Sequence, residues 1–294
     1  ALIICVSNQF RIRVAEPNVT EEDISLMCQA LRENRLSSGP YVEKFEKEFA
    51  NYVGTKHAIA VNSGSAALHL PLEALGIKNG DEVITTSFTF AATSNVIVLQ
   101  NAIPVFVDIE SKTYNLDPSK IEDAITSKTK AIMPIHYAGQ CAEMDEINDI
   151  AKKHKLFVIE DAAPSTGGSY KNKKAGSLSD VAGFSFFPDK NMTTGEGGMV
   201  VTNNREFYEK MRIFRHHGIE RKPAKGGWYY DIENPGYNYR ITDFQCALGL
   251  SQLKKISMFI ARRKEIVQEY NRAFKDVKEI ILPKKNEKDL REIP

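Results

Sequence analysis

The sequence predicts an α/β fold built on a mostly parallel sheet. From residue 57 onward, short and nearly continuous apolar runs of strand length recur, and longer amphipathic stretches separate them. The runs are rich in β-branched and aromatic residues and do not alternate with polar ones, the pattern of strands buried on both faces. The 294 residues are 42% hydrophobic and 26% charged, enough apolar material for a large core and far from a disordered composition. Strand–helix repetition of this kind implies right-handed crossovers, with functional groups gathered beyond the carboxyl ends of the strands.

The elements follow in order. Residues 21–35 carry Ile24, Met27, Cys28 and Leu31 at helical spacing, and after a break at Gly39-Pro40 residues 41–52 carry Phe45, Phe49 and Tyr52 in the same way. Strands are expected at 57–61, 82–85, 104–107, 131–135, 156–159, 181–186 and 198–202. Asp117 ahead of Pro118 is the start signal of a helix over 118–125. Residues 142–155 place Met144, Ile147, Ile150 and Ala151 on one stripe, and 205–216 form a further helix. The pattern over 242–274 is one long helix, too irregular for a heptad seam and therefore a connector from a main domain to a second one.

Charge and cysteine usage narrow the function classes. With 39 Lys+Arg against 38 Asp+Glu the net charge is +1, which argues against a nucleic-acid binder. There is no apolar run of membrane-spanning length, and the stretch over 1–6 is short for a signal peptide. Cys5, Cys28, Cys141 and Cys246 lie far apart, in neither metal-like nor disulfide-dense spacing. The expectation is a cytoplasmic enzyme without a metal site. At roughly 150 residues per domain, the length suggests two domains.

Three segments carry candidate chemistry. Ser63-Gly64-Ser65 lies between the first strand and a helix start, where free backbone N–H groups and hydroxyls can receive a phosphate or serve merely as a helix cap. It is no P-loop, and the dinucleotide glycine fingerprint is incomplete. Glu160 and Asp161 end an apolar strand, and since neighbours on a strand face opposite ways, one of them enters the crevice. Lys190 follows another strand and precedes a Thr- and Gly-rich turn, a setting in which a desolvated amine suits Schiff-base chemistry. A phosphate cradle, a strand-end acid and a strand-end lysine together match the needs of pyridoxal phosphate (PLP): donors, a carboxylate for its ring nitrogen and an amine for its aldehyde. Residues 89–93 add a ring that can stack on the cofactor. His136 reads as a loop-orienting residue rather than a base.

These segments resemble the DegT/DnrJ/EryC1/StrS family of sugar aminotransferases. The matching stretches are 36–40 (LSSGP), 62–69 (NSGSAALH), 87–93 (SFTFAAT), 159–163 (IEDAA), 184–190 with its lysine, 194–198 (TGEGG) and 237–240 (YNYR), in order along most of the chain. The resemblance implies a type I PLP-dependent transferase fold. Residues 1–245 would be the large PLP-binding domain, and 246–294 the linking helix and the beginning of a small C-terminal domain, cut short. It implies that Lys190 bonds the cofactor and moves the proton, that Asp161 pairs with the ring nitrogen, and that Phe90 stacks on the ring. Gly64, Ser65 and Ser185 would hold the phosphate, with Asn238 reaching it from the other subunit of a homodimer. Lys190 separates the chain from the dehydratase branch, which carries histidine there. Position 164, usually Gln or His near the cofactor, is Pro164, so that contact is expected to be missing or taken over by Ser165.

The function implied is transfer of an amino group from L-glutamate to a nucleotide-linked keto sugar, in the biosynthesis of a polysaccharide, glycan or antibiotic. Three alternatives stand beside it: a PLP enzyme with another amine-transfer or elimination substrate, a catalytically idle regulatory relative, and a nicotinamide-dependent oxidoreductase using the 63–65 turn.

Overall fold

The computed structural model describes residues 16–34, 36–222, 226, 228–232 and 234–283; Cys5, the 1–6 stretch and the charged tail beyond Pro283 lie outside these. Helices α1 (Glu21–Arg32) and α2 (Pro40–Val53) precede β1 (His57–Val61) and α3 (Gly64–Ala74). Then come β2 (Glu82–Thr85), α4 (Ala92–Leu99), β3 (Ile103–Phe106), β4 (Thr129–Ile132), α5 (Met144–His154) and β5 (Phe157–Asp161). A small hairpin, β6 (Ser169–Tyr170) and β7 (Lys173–Lys174), leads to β8 (Val181–Ser185) and β9 (Gly198–Thr202). The chain continues through α6 (Arg205–Arg215), a second hairpin, β10 (Ile219–Arg221) and β11 (Tyr230–Ile232), and the long α7 (Asp243–Phe274). Among the described residues, no helix is long and apolar enough to cross a membrane.

Seven strands form the central sheet in the order β1-β9-β8-β5-β4-β2-β3. All pairings from β8 through β3 are parallel, whereas β9 runs antiparallel to both β1 and β8. The parallel strands are nearly all buried, as their continuous apolar runs require; β3, at the edge, is the exposed exception. The 118–125 segment departs from expectation. Asp117 does accept from the Ser119 N–H, but the chain makes two 3₁₀ turns, Pro118–Lys120 and Glu122–Ala124, before Ile125 returns to extended backbone. So short a stretch does not repay α-helix nucleation.

The 36–40 motif of the family resemblance has a structural job. Gly39 N and Val42 N both donate to Asp243 Oδ1, at 2.9 and 3.0 Å, so the first residue of α7 caps the start of α2 across the fold. Ser38 Oγ adds a bond to the Ile241 carbonyl. The first half of α7 is buried: Cys246, Leu250 and Ile256 pack into the same core as Phe45, Phe49 and Phe184. Beyond Ile260 the helix is largely exposed.

Candidate active site

Register places the site. Val61, Gly198 and Ser185 lie side by side across β1, β9 and β8, while Asp161 pairs with Gly183 on β5 and β8. The carboxyl ends of β1, β8, β5 and β2 therefore open on one edge of the sheet, and the segments 62–65, 86–93, 161–163 and 186–190 all leave from it.

The cradle is formed by β1, α3 and β8. Ser63 Oγ accepts from Ala66 N at 3.1 Å and the Ser63 carbonyl from Ala67 N, which leaves the N–H groups of Gly64 and Ser65 without an acceptor in the described chain. They lie at the positive end of α3. A Cβ on Gly64 would stand 2.7 Å from Ser185 Cβ and 2.9 Å from Ser185 Oγ. Only glycine lets this backbone approach the serine hydroxyl so closely. Gly198 serves the same packing from β9, where a Cβ would meet the Ser63 carbonyl at 2.4 Å. Backbone donors at a helix start beside a hydroxyl form an anion site.

Asp161 closes the deep side. Its carboxylate is buried, with Oδ2 accepting from Thr93 Oγ1 at 2.7 Å and Oδ1 from Ala163 N at 3.2 Å. Burial pushes the Asp161 carboxyl above its usual range, and the two hydrogen bonds and the nearby charges of His136 and Lys190 only partly oppose this. Thr93 in turn lies 2.7 Å from Thr89 Oγ1. With Asp161 ionised, the single Thr93 proton points at the carboxylate, so Thr89 is the donor to Thr93. Thr93 lies in the 87–93 motif, whose sequence alone does not reveal this contact. The i, i+4 pairing of two threonines within one turn of a strand-end acid is a tertiary contact that a motif does not announce.

Lys190 emerges after β8, its carbonyl and that of Asn191 held by the Arg263 guanidinium at 3.2 and 3.3 Å. Its side chain is 26% exposed and Nζ stands 3.1 Å from Asp189 Oδ1. The expected desolvated amine is thus replaced by an ion pair with the preceding residue. A cavity of about 680 Å³ borders Lys190 between the 188–193 turn and α7. Phe90 is 74% exposed at the start of α4 and its carbonyl receives the Thr93 N–H, whereas Phe88 packs on Tyr137 with ring centroids 4.8 Å apart. Of the two phenylalanines only Phe90 is free to cover a ligand.

Other residues sort differently. Ser165 donates to the Ala162 carbonyl at 3.0 Å and is fully buried, so it is turned into its own loop rather than into the space left by Pro164. His136 donates from Nε2 to Glu160 Oε2 at 2.8 Å and accepts the Ala142 N–H at Nδ1, which makes it a loop-orienting residue as expected. Asn238 is exposed, and only its carbonyl is engaged, by Asn62 Nδ2 at 3.1 Å. Sheet register thus brings Gly64, Ser65, Asp161, Ser185 and the segments that carry Phe90 and Lys190 to one edge, while Asn238 lies on the 237–239 segment with its carbonyl held by Asn62.

An α/β sheet with one antiparallel strand, a helix-start cradle and a lysine after β8 defines the type I PLP-dependent transferase fold. The chain belongs to the DegT/DnrJ/EryC1/StrS aminotransferase family, whose profile matches residues 17–292. It is 45% identical over 261 residues to GDP-perosamine synthase of Caulobacter vibrioides, covering 88% of this chain and 69% of that protein. Among solved structures it superposes on Helicobacter pylori PseC, an aminotransferase involved in pseudoaminic acid biosynthesis, with TM-score 0.86 and 36% identity over 90% of this chain and 71% of the other. The PLP form of Spr1654 from Streptococcus pneumoniae matches with TM-score 0.86 and 33% identity, over 91% and 72% of the two chains.

Proposed function

We propose that this aminotransferase uses PLP to move an amino group from L-glutamate to a keto sugar carried on a nucleotide, within a cytoplasmic homodimer. One observation carries the cofactor assignment. Asp161 is a buried carboxylate with two hydrogen bonds and no ion pair among the described residues, at the sheet edge from which the 62–65 and 186–190 segments leave. A buried carboxylate in that state is stabilised by a cation placed against it. A protonated ring nitrogen at Asp161, a phosphate at Gly64, Ser65 and Ser185, and an aldehyde at Lys190 satisfy all three stations at once. The sugar-nucleotide substrate is supported by what GDP-perosamine synthase and PseC are named for.

Bound PLP supplies an aldehyde that links to amines and a protonated ring that draws electrons from the substrate carbon. The protein does the rest. Lys190 would provide the anchoring amine and, freed by the donor amine, would carry the proton between the donor carbon and the cofactor carbon. Asp161, held by Thr93 and Ala163, would be the carboxylate that keeps the ring nitrogen protonated. Phe90 would cover the ring, and Gly64, Ser65 and Ser185 would hold the phosphate, so that Lys190 would meet the substrate carbon in one orientation. Residues 1–245 would serve as the cofactor domain, and the helix from 246 onward as the passage to a second one.

The test is direct. The purified protein with PLP should be yellow, and borohydride reduction followed by peptide mapping should place the cofactor on Lys190. Lys190→Ala should abolish glutamate-dependent amination across a panel of nucleotide-linked 3-keto and 4-keto sugars. Wild-type half-reaction rates in that variant would remove Lys190 from its role.

A further inference from the structure

The turn that carries Lys190 is closed firmly at its stem and lightly at its tip. The carbonyl of Phe186, a ring fully buried against Phe45 and Phe49, accepts from Thr194 N at 3.0 Å and Thr193 Oγ1 at 2.9 Å. Thr193 Oγ1 also receives Gly195 N at 2.9 Å. Further out, Lys190 N bonds the Phe187 carbonyl at 3.0 Å, and the Asn191 amide donates to the Thr166 carbonyl at 2.8 Å. The carbonyls of Lys190 and Asn191 receive one side chain among the described residues. That side chain is Arg263 of α7, through Nη2 and Nη1 respectively.

Arg263 departs from its surroundings. It lies in the second half of α7, where most residues are exposed, yet it is half-buried. Its neighbour Arg262 pairs with Glu265 at 2.8 Å, whereas Arg263 has no carboxylate partner among the described residues. Burial lowers the Arg263 pKa. A cation drawn partly out of water without an anion costs stability, and the two carbonyls are what it gains. A planar fork spanning two successive carbonyls fixes the peptide between them. With Lys190 N on Phe187 and its carbonyl on Arg263, both peptide planes flanking the lysine Cα are held, and with them the direction of Cβ. The Lys190–Asp189 ion pair adds little constraint, since the two side chains are 26% and 48% exposed. The cavity of about 680 Å³ lies between this turn and α7, so Arg263 spans a gap that packing does not close.

We propose that Arg263 is a positioning residue, which reaches from α7 to the backbone of Lys190 and fixes the point from which the lysine amine meets the PLP aldehyde. The inference rests on the cofactor reading above and adds the exposed half of α7 to the support of the site. Arg263 is no catalytic residue, because its guanidinium is engaged with main-chain oxygens.

Rapid mixing of the cofactor-free protein with increasing PLP, followed by visible absorbance, tests it. Two quantities separate. The PLP concentration that half-saturates the rate reports on Gly64, Ser65, Ser185 and Asp161, and the limiting rate reports on how Lys190 meets the aldehyde. In that step the neutral amine nitrogen bonds the aldehyde carbon, and the aldehyde oxygen leaves as water with both amine protons. Arg263→Met should lower the limiting rate about tenfold and keep the half-saturating concentration of wild type, since a small misplacement of a reacting group is costly. Arg263→Lys keeps the charge without the fork and should slow the same step by less. It carries the test if Arg263→Met fails to fold. A raised half-saturating concentration marks general damage to the site and overturns the proposal, as does an unchanged limiting rate. A wild-type protein that takes up no PLP, or a borohydride label away from Lys190, brings down the cofactor reading itself, an outcome distinct from the others.

Discussion

On one face of β5, Glu160 accepts hydrogen bonds from His136 Nε2, Gly176 N, Leu178 N and Ser179 Oγ, all at 2.7–2.9 Å. On the other face its neighbour Asp161, equally buried, accepts only from Thr93 and Ala163. Both are carboxylates at the carboxyl end of a buried strand, yet their donor counts assign them opposite work. Glu160 has its lone pairs filled by the 176–179 loop and His136, so it organises chain and has no capacity left for a ligand. Asp161 is under-satisfied, and a buried group in that state marks where the fold gives up stability for function.

Exchanging the two carboxylates for neutral groups should separate these roles. Asp161→Ala is expected to lower the glutamate half-reaction rate by about 10²–10³-fold, the usual cost of removing a buried electrostatic partner of the reacting system. The cofactor-free protein should keep or slightly raise its urea midpoint. The sign follows from linkage. The folded pKa of Asp161 lies above its unfolded value of about 3.9, so above that pH the ionised group opposes folding, and its removal relieves this. A wild-type rate in Asp161→Ala would end its assignment to the ring nitrogen. Glu160→Gln should do the reverse. Its amide nitrogen would face backbone N–H groups, with an expected loss of about 3 kcal/mol in the same melt and a rate per folded enzyme near wild type. A stable but inactive Glu160→Gln would mean the two roles had been assigned to the wrong faces.

How much of this was legible beforehand follows from locality. The strands were readable because burial on both faces demands continuous apolar runs, and β1, β2 and β9 fall where the sequence alone places them. That β9 is antiparallel was not readable, because pairing direction leaves no mark on a buried strand. The stations of the site were legible as strand-end segments, since sheet topology brings such segments together whatever their spacing in sequence. What was illegible is what depends on a partner far along the chain: Asp243 capping α2 from 201 residues away, Thr93 on Asp161, Arg263 on the Lys190 carbonyl, and the ion pair that keeps Lys190 from being desolvated. The long α7 was legible in extent, but its division into a buried first half and an exposed second half reflects which helices happen to face it.

A third buried carboxylate sharpens the contrast. Asp23 Oδ2 accepts from Thr20 N at 2.7 Å, Gln252 Nε2 at 3.1 Å and Lys255 Nζ at 2.5 Å, tying α1 to α7. Burial opposes ionisation, but the Lys255, Ser251 and Thr20 contacts outweigh it and bring the Asp23 pKa down to about 2. A depressed folded pKa contributes stability that is complete above about pH 4 and is lost as pH falls toward 2. Allowing for water near the partly exposed Lys255, this is worth about 1–2 kcal/mol. Urea midpoints measured between pH 5 and 2.5 should fall less in Asp23→Asn than in wild type, and equal slopes would show that Asp23 is not paired in solution. Asp161 has the opposite sign, so Asp161→Ala should make the acid-side decline steeper.

The smallest effects test the donor chain behind Asp161. Thr93→Val preserves shape and removes the hydroxyl donor, which should push the Asp161 carboxyl further up and weaken its hold on a protonated ring. PLP affinity is expected to fall about fivefold to tenfold, the range for a hydrogen bond to a charged group. Thr89→Val removes the donor one step back. Thr93 then still has its proton for Asp161 and loses only the polarisation that Thr89 supplies, so the loss should be about twofold. Order matters more here than size. Were Thr89→Val the more damaging of the two, proton direction along the chain would have to be reversed, with Asp161 protonated and donating to Thr93. A carboxyl in that form could not pair with a ring nitrogen as an anion, and the distinction between Asp161 and Glu160 would then have to rest on something other than charge.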